Sequence, residues 1–255
     1  MNLLISVRSE ILKTRRTASF YLTIIAAFFG PFVSLLDILI GEGIPANDRS
    51  TIFNRLFVEK FQMTGLLAYP IFLILITTLL PQIEYKNNAW KQVLISPKTK
   101  AEIFLSKFVN IQLLVLAFFI INLLFTYACA ILLHLKDPSL HVLSQPLNGY
   151  EIIMMRINSY VSLLGLCALQ FWLGLQFKNF VIPTGIGIAC YFAGTILVMQ
   201  LKGNLFLYLP YTMFIYSGLP EYASQINVVN WYSIGYTVVF LAIGFLSFKK
   251  KRITA

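Results

Sequence analysis

Charge is what this chain has least of. Only 12% of its 255 residues are Asp, Glu, Lys or Arg, and just ten are acidic, whereas soluble domains carry about 25% charged residues. That excludes an ordinary water-soluble domain. Cysteine occurs three times, at Cys129, Cys167 and Cys190. Each lies inside an apolar run and none forms a CxxC pair, which argues against a disulfide framework or a thiolate metal site. They read as small core residues. The two histidines, His134 and His141, flank a Pro-containing loop and read as polar groups at the membrane interface. Catalytic signatures are missing too: there is no GxxxxGK[ST] phosphate loop, no HExxH and no GxSxG elbow. No catalytic residue, metal or cofactor is therefore expected on this chain.

What is present is apolar length. The chain is 58% apolar with a mean hydropathy of +0.77. This predicts an all-α integral membrane protein of six transmembrane helices, forming one transmembrane domain over residues 1–255. The spans fall near Ala18–Ile40, Phe61–Ile83, Phe108–Leu135, Glu151–Phe177, Val181–Leu201 and Trp231–Phe248. Gly30-Pro31 should kink the first, and Pro70 lies inside the second. No cleavable signal peptide is expected, because the first apolar run is long enough to span. Residues 1–17 place Leu4, Val7 and Ile11 on one face and Arg8, Lys13 and Arg15 elsewhere, the pattern of an interfacial amphipathic helix. Residues 202–230 are apolar but cut by Pro210, Gly218 and Pro220. They are expected to form short external helices that re-enter or lie on the outer leaflet.

Six spans place both termini on one side. That side holds fourteen of the twenty Lys and Arg residues: four near the N-terminus, five in the central loop, Lys178, and four at the C-terminal end. Of the acidic residues only Glu10, Glu84 and Glu102 share it. The bias follows the positive-inside rule, so the expectation is a multi-pass protein of the cytoplasmic (inner) membrane with cytoplasmic termini. The same rule explains the +10 net charge without nucleic acid as a partner. Asp37, Glu151 and Arg156 sit near the outer ends of spans, and Arg156 is expected to snorkel outward. A charge relay has little to work with. Asn122, Gln170 and Gln176 read as interhelical hydrogen-bonding groups or, less simply, as substrate contacts. Gly185, Ala189 and Ala193 repeat at four-residue spacing, a face on which another helix can pack closely.

The informative interruption is 84–107, EYKNNAWKQVLISPKTKAEIFLSK, with five lysines between apolar runs. Trp90, Val93 and Leu94 give a short helix one apolar edge flanked by Lys86 and Lys91. Ser96-Pro97 stops that helix, and Thr99-x-x-Glu102 forms a capping box for the next. From pattern alone this loop docks into a soluble partner or grips anionic headgroups.

The loop resembles the first cytoplasmic loop of type-2 ABC-transporter permeases. The matching positions are Glu84, Trp90-Lys91, Leu94, Ser96-Pro97, Lys100 and Lys107. SEILKTRRT ahead of the first span is similar to the same family, and LQFWLGLQFKNFVIPTGIGI (169–188) resembles its lantibiotic-immunity and bacitracin-resistance subgroup. The resemblance implies a non-catalytic permease subunit of an ATP-driven exporter that moves or extracts an amphipathic substrate, by subgroup an antimicrobial peptide. It implies separate ABC ATPase subunits that bind ATP, a second permease copy or a homologous permease, and a lipid bilayer around them. Residues 1–17 would be the elbow helix. The short helix in 84–107 would be the coupling helix, with Glu84, Trp90, Lys91, Val93, Leu94, Ser96 and Pro97 as the ATPase-coupling set. The ATPase domain fused in the family's long form is not expected on this chain, so the ATPase is expected on another. Two rival readings are a membrane anchor or assembly protein with no pathway, and a lipid-modifying membrane enzyme, for which clustered carboxylates or histidines are wanting.

Overall fold

The computed structural model describes residues 3–40, 52–87, 89–95, 97–201, 208–218 and 220–250. Within them the chain is all helical: α1 (Leu3–Thr14), α2 (Ala18–Ile40), α3 (Ile52–Asn54), α4 (Lys60–Lys86), α5 (Trp90–Ile95), α6 (Lys100–Lys136), α7 (Gly149–Gln176), α8 (Val181–Leu201), α9 (Met213–Gly218) and α10 (Ile226–Lys250). A π-turn at Arg55–Glu59 joins α3 to α4 without a break. Six helical segments are long and apolar enough to cross a membrane. Successive spans run up and down, so α1 and the end of α10 share one end of the bundle, here called proximal. The opposite end is distal.

In lipid a backbone carbonyl without a partner costs several kcal/mol, and a mid-helix proline creates one by removing the N–H that the residue four back would bond. The bundle is pinned where these carbonyls are filled. Pro31 frees the Ala27 carbonyl, and Asn122 Nδ2 of α6 donates to it at 3.0 Å. Pro70 frees the Leu66 carbonyl, and the Tyr191 hydroxyl of α8 donates to it. At the proximal start of α8, Gln170 Nε2 of α7 donates to the Pro183 carbonyl at 2.5 Å. Each bond fixes one helix pair: α2 on α6, α4 on α8, α7 on α8. The interhelical role expected for Asn122 and Gln170 is what the structure has.

Close approach supplies the rest. A Cβ on Gly174 would lie 3.0 Å from the Thr77 carbonyl, and one on Gly187 would lie 2.7 Å from Gln170. Among the small residues of α8, the chain packs against Gly187 and Gly194, while Gly185, Ala189 and Ala193 are exposed. The main core runs through Leu73, Ile76, Phe104, Phe118, Leu166 and Phe171. A smaller distal cluster joins Phe53, Phe57, Leu133, Val142 and Ile152.

The segment between the last two spans, expected to re-enter or to lie on the outer leaflet, packs into the bundle; its residues 202–207 and 219 lie outside the described residues. Thr212 to Tyr216 are buried. The Tyr211 hydroxyl donates to Gln170 Oε1 at 2.9 Å, while Ser217 meets Ser162 at 3.0 Å. Gln170 and Ser162 are eight residues apart on α7, a rise of about 12 Å, so the segment descends well into the bundle. Its irregular backbone is tolerated there because protein surrounds it.

Tyr191→Phe should therefore lower stability by about 1 kcal/mol, measured by thermal unfolding in detergent. Adding Pro70→Ala, which restores the missing N–H, should recover most of the loss; additivity of the two changes would refute the assignment.

Candidate functional site

The site is built at the proximal end, where α1, the end of α4, α5 and the start of α6 meet. Helix α1 is amphipathic in an unusual sense. Its buried stripe is polar (Ser6, Glu10, Thr14 at four-residue spacing), and its apolar residues point away from the protein, with Leu4 76% exposed. An apolar outer face suits a helix lying in the interface, and the inward stripe reaches into a buried cluster of charges.

Lys107 is the centre. It is buried in the second turn of α6, with 3% of its side chain exposed. Its ammonium donates to Glu10 Oε2 at 2.8 Å and to Glu84 Oε1. Lys13 donates to the same two acids, to Glu10 Oε1 at 2.7 Å and Glu84 Oε1 at 3.2 Å. Two cations and two anions thus close a neutral square joining α1, α4 and α6. Asn110 Nδ2 donates to Thr14 Oγ1 at 2.6 Å, one turn further along the α1–α6 contact. Burial by itself would push the Glu10 carboxyl up. The Lys107 and Lys13 ammoniums outweigh it and hold the carboxyl below its ordinary 4.5. Burial likewise opposes the Lys13 charge, but the Glu10 and Glu84 carboxylates raise it above its ordinary 10.5.

The short helix α5 is seated on this square. Trp90 is 5% exposed. Its ring packs against Tyr85 and Phe248, with centroids 5.2 and 5.8 Å away, and Lys107 Nζ lies 5.5 Å from the ring centroid, within cation–π range. Val93 is half-buried against the core. So Trp90 and Val93, two of the three residues of the apolar edge read from spacing, turn inward. Of Lys91 and Leu94 only the helical backbone is described, and Ser96 lies outside the described residues. The outward surface of the loop is formed by Gln92, Ile95 (83% exposed) and Pro97.

The capping box forms as read: Thr99 N donates to Glu102 Oε2 at 2.8 Å and Glu102 N to Thr99 Oγ1 at 3.2 Å. It starts a single 37-residue helix that continues through the third span. Two further ties hold the loop: Lys98 Nζ donates to Ser9 Oγ at 2.7 Å, and Lys100 Nζ to the Lys249 carbonyl at 2.8 Å. A cavity of about 490 Å³ opens between α1 and α5, lined by Glu10, Lys13, Glu84, Gln92 and Lys98 among others. Arg16, Lys86 and Lys178 surround a second one of about 680 Å³ at the same end.

The sequence shows Glu84 and Lys107 as motif positions but not their pairing, and it shows Glu10 and Lys13 only as charges on the basic side, not as site residues. The available signal was Glu10 itself, one acid at three-residue spacing from Lys13 in an otherwise basic lead. A second expectation needs correcting. Arg156 does not snorkel outward; it is 8% exposed and Nη1 donates to Asn122 Oδ1 inside the bundle at 3.0 Å. Asn122, already held by the Ala27 carbonyl, draws it inward.

A family profile described as "ABC-2 family transporter protein" matches residues 6–194, close to three quarters of the chain, from α1 through most of α8. The chain belongs to the ABC-2 transporter family. It is a multi-pass membrane protein, and the family role is that of a permease subunit working with an ABC ATPase. A search of curated proteins found no match.

Lys107→Met strands two buried carboxylates and should cost about 3 kcal/mol; Lys107→Met with Glu84→Gln should recover part of this in thermal unfolding. The square also sets a pH window. The Glu10 contribution is in place above pH 4.5 and drains as pH falls through the lowered folded value; the Lys13 contribution is in place below 10.5 and drains as pH rises through the raised one. Hydrogen exchange over residues 3–14 should therefore accelerate, relative to intrinsic rates, on acidification well below 4.5 and not between pH 6 and 9.

Proposed function

We propose that the chain is the permease subunit of an ATP-driven ABC exporter, and that the Glu84–Lys107 loop receives the work of a separate ATPase subunit. The observation that carries this is Lys107, whose ammonium joins Glu10 of α1 to Glu84 of α4. A force applied at α5 is transmitted through Trp90 and Lys107 to three elements together, because a buried ion square cannot shear without stranding charge. Gln92, Ile95 and Pro97 are the docking surface, with Lys91, Leu94 and Ser96 as further contacts. Trp90 and Glu84 act behind it as the transmitting groups, and Val93 supports Trp90.

The basic proximal end is then cytoplasmic, in the inner membrane, as the charge bias favours. Substrate is an amphipathic molecule, with an antimicrobial peptide favoured by the subgroup resemblance, pumped outward or extracted from the membrane. A second permease, identical or homologous, packs on the exposed Gly185–Ala189–Ala193 face of α8, which the chain leaves uncovered. ATP is bound by the partner and no cofactor by this chain. A non-transporting anchor is the alternative; it predicts tolerance of bulky substitutions on the α8 face and no substrate-stimulated ATP hydrolysis.

Co-purification from the native membrane should bring down an ABC ATPase. Ile95→Asp should weaken that association on the order of tenfold or more with an unchanged unfolding temperature, while Trp90→Asp should lower both. Purification without an ATPase, together with transport unaffected by Ile95→Asp, would refute the proposal.

A further inference from the structure

Arg156 lies seven residues into α7 from its distal end, about 10 Å deep, and its guanidinium is held on two sides. The Phe61 ring covers one face, with Cζ 4.2 Å from the ring centroid. Asn122 Oδ1 takes Nη1 at 3.0 Å. The other two nitrogens, Nε and Nη2, have no hydrogen-bond partner, and the buried Tyr69 ring packs on the same Phe61, with centroids 4.9 Å apart. No Asp or Glu among the described residues lies within 4.0 Å of the guanidinium.

A buried arginine normally has a carboxylate, because removing an unpaired cation from water is among the costliest arrangements a fold can keep. Here the two free nitrogens form one edge of the guanidinium, the parallel pair of N–H groups that takes both oxygens of a carboxylate or phosphate. The edge is pre-aligned by Phe61 and Asn122, and Tyr69 lines the adjoining cavity with both of them. Phe61 and Asn122, which hold the guanidinium, also line a narrow cavity of about 10 Å³ together with Lys60, Thr64, Tyr69 and Thr126. That space holds about one water, so a larger group enters only as the distal ends of the helices part.

We propose that Arg156, with Tyr69, is a binding site for the oxyanion of an amphiphile, a carboxylate or a phosphate, admitted at the distal end of the bundle. The pairing energy lost by leaving the arginine without an internal acid is recovered when the anion arrives. The inference rests on this chain alone and does not require the transport reading.

The test uses the full chain in neutral detergent without ATP or ATPase, so its failure and that of the exporter reading are separate results. The probes are dodecyl phosphate and dodecanoate, with dodecyltrimethylammonium as the cationic control. The wild type should bind both anions and unfold at a higher temperature in their presence, and ignore the control. Arg156→Gln, which keeps a donor for Asn122 and removes the unpaired charge, should fold at least as stably without probe and bind the anions on the order of tenfold more weakly. Tyr69→Phe, which deletes one hydroxyl from the cavity lining, should fold normally and bind several-fold more weakly. Native mass spectrometry separates the sources: phospholipid retained by the wild type and lost in Arg156→Gln assigns a lipid phosphate, whereas no retained lipid and tighter binding of dodecanoate assign a carboxylated substrate. Equal anion binding by the wild type and both variants, or no binding by the wild type, overturns the proposal, as does an Arg156→Gln protein that unfolds earlier than wild type without probe.

Discussion

A lysine ammonium buried at a membrane boundary has to be neutralised by the protein itself, and Lys107 is neutralised by acids from two other elements. That requirement organises the proximal end. Glu10 reaches it only if α1 lies against α6 with its polar stripe inward, and Glu84 reaches it only if α4 ends alongside. Lys13 then balances the second negative charge. With α1 committed in this way, its leucines and isoleucines are left facing outward, which in water would be an aggregation hazard and at a membrane is an anchor. One buried charge thus decides the orientation of a helix whose hydrophobic pattern alone would have turned it over.

The spans obey the same rule with neutral groups. A proline in a lipid-facing helix is affordable only when something else bonds the carbonyl it frees. Asn122 does this for Pro31 and Tyr191 for Pro70, so the prolines act as addresses for neighbouring helices instead of as breaks. Across Gly30-Pro31, where a kink was expected, α2 is one continuous helix, and the proline's main consequence is that Asn122 has somewhere to bind. These bonds, not apolar burial, choose helix partners, because lipid tails are as apolar as any side chain and give no preference of their own.

This explains what was legible in the chain and what was not. Span positions depend on runs of apolar residues, a one-dimensional property, and the first and fifth were read with the bounds the structure has. The capping box at Thr99–Glu102 is local and was read too. The ion square, in contrast, joins residues up to 97 positions apart, and nothing in the neighbourhood of Glu10 announces Lys107. Trp90 shows a subtler failure. Spacing tells which residues share a helix edge but not whether that edge meets a partner protein or the chain's own Phe248 and Tyr85. A tryptophan in a loop bounded by spans has apolar surface within reach on its own chain, and it takes that surface first. Arg156 was misplaced for a related reason: snorkelling is the default for an arginine near a helix end, and only a partner fixed at depth, Asn122, overrides it.

The two buried cations differ in a way that bears on how the bundle works. Lys107 has two carboxylates from its own chain, so its end of the bundle is closed by internal pairing. Arg156 has one amide and an aromatic face, so its end keeps a donor edge without an acceptor. A fold in which both were paired would be more stable and would have no reason to open at either end. Leaving the distal cation short of an anion makes the separation of the distal helices cheaper whenever an external anion is there to be taken up, while the proximal square keeps α1, α4 and α6 together during the same movement. On the proposed reading, the asymmetry puts rigidity where an ATPase would push and unsatisfied bonding where an anionic ligand would enter.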